Sequence, residues 1–166
     1  MPRRPGLFAG IFVLALASTA PAAAYSPGSL RTFHRDARWI VPLDGPLGSP
    51  FGPRWGGFHD GIDLEGWAET RVHAARPGVV THVGWLIGYE GYGFVVKIRH
   101  DDGFVTMYAH LAKARVRPGD HVAGGQLIAR AGCTGSCTGV HLHFQMWHRG
   151  KLVDPLRFLG RRALVR

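Results

Sequence analysis

Ten histidines occur in a chain of 166 residues. Four of them stand where types and spacing could do chemistry: His59, His110, His141 and His143. His141-Leu142-His143 lies inside a strand-like run from Val140 to Trp147. Residues two apart on a strand point to the same face. His141, His143, Gln145 and Trp147 therefore share one face, and Val140, Leu142, Phe144 and Met146 form an apolar opposite face. The two imidazoles are then about 6–7 Å apart at Cα. That suits one metal ligand with a second histidine close to whatever the metal activates. A solvated strand face would show the same spacing, and spacing does not say which histidine is the ligand.

The run His59-Asp60-Gly61-Ile62-Asp63 offers two further ligand types. Four residues of straight strand would hold His59 and Asp63 about 13 Å apart. The chain must fold back between them to bring both to one ion, and Gly61, lacking a Cβ, permits the bend. Tyr108-Ala109-His110-Leu111 is the third piece. Strand alternation places His110 on the face of Tyr108, Thr106 and Phe104. A catalytic zinc site commonly takes three protein ligands and leaves one position open. His59, Asp63 and one histidine of the His-Leu-His pair would supply the three. Zinc brings the pKa of bound water from about 15.7 down to about 7. The two remaining imidazoles, ordinarily titrating near about 6.5, can move protons there.

The elements that must position these residues are short strands. Gly 24 and Pro 11 are high counts for this length and favour turns over long helices. Strands are expected at Val79–Trp85, Phe94–His100, Phe104–His110, Gln126–Ala131 and Val140–Trp147. In the second, Phe94, Val96 and Ile98 face one way. Asp101-Asp102-Gly103 supplies a hairpin turn, and Pro118-Gly119-Asp120 and Gly124-Gly125 mark two more. No segment sustains a helical period. The expectation is mostly β: a single antiparallel β-sheet or sandwich domain with little helix.

Residues 1–24 read as a signal peptide: Arg3 and Arg4, an apolar stretch Leu7–Ala17, and Ala22-Ala23-Ala24 before a cut at Tyr25. The apolar run is short for an uncleaved span of about 20 residues, and Pro21 interrupts its end. No stable membrane insertion is expected after cleavage. Residues 25–45 read as an N-terminal arm or linker, 46–160 as the folded domain and 161–166 as a basic C-terminal tail. Cleavage removes two arginines and no acid, which lowers the formal charge from +9 to +7. Such a surface is drawn to anionic polymers. In a secreted or envelope protein, anionic wall polymers and peptidoglycan carboxylates fit better than nucleic acid. Cys133 and Cys137, in an oxidising compartment, read first as a disulfide, although the spacing also fits a loose zinc pair. The exposed-looking aromatics Trp55, Trp67, Trp85, Tyr89 and Tyr92 lie in glycine-rich stretches and could line a groove or pack their own loops.

Four separated blocks agree with one family. Phe51-Gly52-Pro53-Arg54, His59-Asp60-Gly61-Ile62-Asp63, Tyr108-Ala109-His110-Leu111 and Gly139-Val140-His141-Leu142-His143-Phe144 together resemble the lysostaphin/LytM-type peptidases, over about residues 46–160. The segment Val116–Ile128 fits the same pattern. The resemblance implies one zinc ion held by His59, Asp63 and His143, with His110 and His141 as the catalytic histidines. It implies a secreted zinc metalloendopeptidase that hydrolyses peptide cross-links of bacterial peptidoglycan, acting as a monomer on stem peptides and cross-bridges. Two departures are Val140, where the family often has proline, and the two cysteines, which replace small hydroxyl residues. A disulfide there would stiffen the loop that precedes His141 and His143. The family also holds non-catalytic regulators that activate a wall amidase, usually with broken ligand sets. All five positions are intact here. A wall-binding module without chemistry is the remaining alternative.

Overall fold

The structure, a computed structural model, describes residues 38–54 and 56–159. The expected signal peptide, most of the expected arm, Trp55 and the basic tail lie outside the described residues. Among the described residues there are thirteen strands: β1 Leu47–Ser49, β2 Gly52–Arg54, β3 Gly57–His59, β4 Ile62–Glu65, β5 Arg71–His73, β6 Gly78–Trp85, β7 Phe94–Arg99, β8 Phe104–Ala109, β9 Leu111–Ala114, β10 His121–Val122, β11 Leu127–Ala131, β12 His141–His148 and β13 Lys151–Val153. One short helix, α1 Leu156–Leu159, closes the described chain.

Every pairing is antiparallel. The main sheet runs β1-β4-β12-β8-β7-β6-β10, with β13 also on β12. A second sheet of three strands runs β5-β11-β9, and β2 pairs β3 in a hairpin. The core lies where the faces of the two larger sheets meet. Leu142, Phe144 and Met146 of β12 pack there with Ile62, Leu64, Val96, Ile98 and Tyr108, and with Val72, Leu111 and Ile128 of the smaller sheet. Full burial of each such aliphatic side chain contributes about 1.5–3 kcal/mol over exposure. This commitment of one β12 face to the core leaves His141 and His143 on the other.

The opposite face of the main sheet is also covered in part. Val95, Met107 and Ala109 are buried there under Leu86, Tyr92 and Trp147. Strand alternation along β7 is therefore masked, because both Val95 and Val96 are buried. Residues 38–45, the end of the expected arm, lie along the domain. Leu43 is fully buried, Ile40 N–H donates to Ala75 O, and His73 N–H donates to Pro42 O. Trp39 packs edge-on against His100 and Phe104.

Candidate metal centre and its cleft

β4 is hydrogen-bonded to β12 in a register that sets Asp63 directly opposite His143. β3 ends at His59, and Asp60-Gly61 turns the chain back into β4. Three donor atoms thereby converge. His59 Nε2 is 3.1 Å from Asp63 Oδ1 and 3.1 Å from His143 Nδ1, and His143 Nδ1 is 2.8 Å from Asp63 Oδ1. His59, Asp63 and His143 form the group among the described residues that could hold a metal ion.

The donor set fits such an ion. His59 Nδ1–H donates to Pro50 O at 2.7 Å, so Nε2 carries the lone pair. A carboxylate oxygen and two imidazole nitrogens packed this closely repel unless a cation lies among them. Donors on a tetrahedral zinc with bonds of about 2.0–2.1 Å sit at separations of this size. Burial works to raise the pKa of Asp63, but the adjacent His143 and His59 rings outweigh it and hold the carboxyl well below the usual range. Arg54 stands at the rim of the trio: its Nη1 lies 3.5 Å from Asp63 Oδ2 and donates to Ser49 Oγ at 2.6 Å.

Gly61 makes the approach possible by clearance. A Cβ built there would lie 2.6 Å from Phe144 O and 2.8 Å from His143 Cε1. The chain does bend at Gly61 as expected, but its φ is not in the left-handed region, so what demands glycine there is close packing against β12.

His110 departs from its expected place. Tyr108, Thr106 and Phe104 face the core, but His110 does not join them. It has φ 58° at the break between β8 and β9, and this left-handed residue rotates its ring out of the alternation. The ring centroid lies 4.6 Å from that of His141 and 6.0 Å from that of His143. Burial pushes the His110 pKa down, opposed by its bond to Thr134. Non-glycine residues in this region concentrate at functional sites.

Both of these histidines are steered by backbone carbonyls. His110 Nδ1–H donates to Thr134 O and His141 Nδ1–H donates to Gly139 O, each at 2.8 Å. In the neutral rings, Nε2 is then the unprotonated nitrogen. Thr134 lies within a loop closed by a disulfide between Cys133 and Cys137, and Gly139 follows that loop by two residues. The same loop is tied down by Ser136 N–H to Gly91 O at 2.8 Å and by Phe94 N–H to Thr134 Oγ1 at 2.9 Å.

A cleft of about 700 Å³ opens over the centre, lined among others by Phe58, Tyr89, Tyr92, His110, His141 and His143. A second hollow of about 520 Å³ adjoins it, with Asp44, Glu65 and Trp67 on its walls. The two share Asp63, Thr138 and His141, so one groove crosses the centre. Of the aromatics singled out from sequence, Tyr89, Tyr92 and Trp67 line this groove, and Trp85 is exposed. Sequence reasoning gave no role to Asp60, Gln145 or Ser49, nor to the carbonyls of Pro50, Thr134 and Gly139. Asp60 was within reach of it, since it sits inside the His-x-Gly-x-Asp run.

Fold and donor set together define an antiparallel β domain built around a histidine–aspartate cluster that could hold a metal ion. A sequence model of peptidase family M23 matches residues 57–155, and the chain belongs to that family. It is 40% identical over 124 residues to the lipoprotein NlpD/LppB homolog of Pseudomonas aeruginosa, covering 75% of this chain and 40% of that protein. It is 37% identical over 124 residues to the murein hydrolase activator NlpD of Salmonella dublin, covering 75% of this chain and 32% of that protein. The match thus spans less than half the length of these curated relatives. Among solved structures, the catalytic domain of the antimicrobial peptidase lysostaphin from Staphylococcus simulans superposes with a TM-score of 0.64 at 35% identity, over 69% of this chain and 92% of that one.

Proposed function

We propose that the chain is a zinc metalloendopeptidase of the bacterial cell envelope that hydrolyses peptide cross-links of peptidoglycan. The observation that carries this reading is the convergence of His59 Nε2, Asp63 Oδ1 and His143 Nδ1 in a cleft that also holds His110 and His141. A zinc ion held there supplies Lewis acidity, which polarises a carbonyl and makes water reactive near neutral pH. His59, Asp63 and His143 would hold it. His110 and His141 keep their Nδ1 protons on carbonyls, and each can take a proton on Nε2 and return it to the leaving amine. The imidazolium so formed also stabilises a developing oxyanion. The groove on both sides of the centre suits an extended peptide.

A second reading has its own support. Curated relatives carry the name murein hydrolase activator, and by those names the chain would switch on a separate wall hydrolase rather than cut. These names favour the activator reading more than the peptidase one, whereas the complete donor set favours the peptidase. One experiment separates them. The purified chain alone is incubated with peptidoglycan, with and without a metal chelator, and released peptides are identified by mass. The peptidase reading expects chelator-sensitive release of new amino termini by the chain alone, lost in His143→Ala. In His141→Ala and His110→Ala it expects turnover about 10²–10⁴-fold lower with zinc retained. No release by the zinc-loaded chain, together with stimulation of an added wall amidase, would establish the activator reading instead.

A further inference from the structure

Gln145, Tyr92 and Asp60 form a polar chain that ends on the outer nitrogen of His143, and we propose that it positions this ligand and sets how tightly the metal is held. The inference rests on the metal-centre reading above.

The chain begins at a buried amide. Gln145 is 1% exposed. A buried polar group left without a partner is destabilising, so this side chain needs a reason to be there. Its Nε2–H donates to Tyr92 Oη at 3.0 Å. The Tyr92 hydroxyl in turn donates to Asp60 Oδ2. The other carboxylate oxygen, Asp60 Oδ1, lies 3.2 Å from His143 Nε2. That nitrogen is buried and has no other partner among the described residues. The approach is not a straight hydrogen bond, and Asp60 is the carboxylate that faces this N–H.

The consequence follows from which nitrogen does what. His143 Nδ1 faces Asp63 Oδ1 and His59 Nε2. A carboxylate behind Nε2 keeps the proton on that side and leaves the Nδ1 lone pair for the metal. It also fixes the ring and raises its basicity. The three members come from three different places: the β3–β4 connection, the β6–β7 connection and β12. The chain therefore ties the ligand strand to two loops, and the Tyr92 ring also lies tilted against that of His143, with centroids 5.5 Å apart.

The test uses the full chain and needs no hydrolysis. Zinc affinity is measured by competition with a chromophoric chelator, and the cobalt-loaded protein is examined by visible absorption. Asp60→Asn should weaken zinc binding by about 10–100-fold, the range found for lost outer-sphere partners. It should also shift the cobalt band. Tyr92→Phe, which removes one oxygen and spares the packing, should weaken binding less. The double variant should be no worse than Asp60→Asn alone, because Tyr92 acts through Asp60. Zinc affinities of both single variants within about twofold of the parent, far short of that range, with an unchanged cobalt spectrum, would overturn the proposal. Additive losses in the double variant would overturn the relay. His143→Ala is the control: if it binds zinc like the parent, the ligand assignment fails and the proposal with it. A parent that binds zinc in this Asp60-dependent way yet cuts nothing would remove the peptidase reading and support the relay.

Discussion

At Gly61 the backbone passes so close to His143 that a single methyl group has no room. An alanine Cβ would meet Phe144 O at 2.6 Å and His143 Cε1 at 2.8 Å. Neither neighbour can give way cheaply, since one is backbone in the β4–β12 ladder and the other a ring clamped by Asp60 and Asp63. Gly61→Ala should lower folding stability by about 1–3 kcal/mol and weaken zinc binding at least about tenfold. Denaturant unfolding and chelator competition read the two effects. Parent-like values for both would show that the approach is looser than described. The same residue shows what sequence can and cannot give. The interval from His59 to Asp63 says the chain must fold back, but not which surface presses on the glycine. The ligand types were legible because imidazole and carboxylate at that interval limit the chemistry. The place of His110 was not legible, because its left-handed φ of 58° breaks the strand alternation used to place it.

At the scale of elements, the strands were readable wherever one face is apolar and the other polar. β12 is the clearest case, with Leu142, Phe144 and Met146 in the core and the histidines opposite. β7 and β8 were readable as a hairpin from Asp101-Asp102-Gly103, but the second buried layer under Leu86 and Tyr92 was not. It depends on a loop folding back over the sheet, which local pattern does not encode. The hairpin carries a pH-dependent fastening. His100 follows β7, is 3% exposed, and donates Nδ1–H to Pro77 O at 2.8 Å. Its Nε2 lies 2.8 Å from the Thr106 hydroxyl of β8. Burial, the largest influence, pushes its pKa from the ordinary 6.5 down to about 4. The unfolded chain thus takes up a proton as pH falls below 6.5, while the folded chain does not until about 4. Its contribution to stability is complete above 6.5 and is lost as pH falls through that window, at about 1.4 kcal/mol per pH unit. Between pH of about 7 and about 4.5, the parent should lose about 2 kcal/mol more than His100→Asn. Urea unfolding of both proteins at the two pH values checks this, and equal losses would contradict it.

Across the whole molecule, two sheets enclose one core and one groove crosses the metal centre at the seam of β4, β12 and the loop closed by Cys133 and Cys137. That loop and the two residues after it carry the carbonyls that orient His110 and His141, so these histidines are steered from a segment outside the His59–Asp63–His143 trio. In the reading proposed above, this separation would let the trio hold an ion while His110 and His141 are oriented by independent means. It also explains why relatives named as activators and a solved peptidase domain can share this fold at comparable identity: the fold positions the site, and the side chains within it decide its use. Zinc-edge X-ray absorption of the metal-loaded chain tests this account most directly. The account predicts a first shell of nitrogen and oxygen only, at about 2.0–2.1 Å, with the outer-shell pattern of two imidazoles. Loss of bound zinc in His143→Ala should accompany it. Sulfur scattering at about 2.3 Å, or a parent protein that retains no zinc, would contradict it.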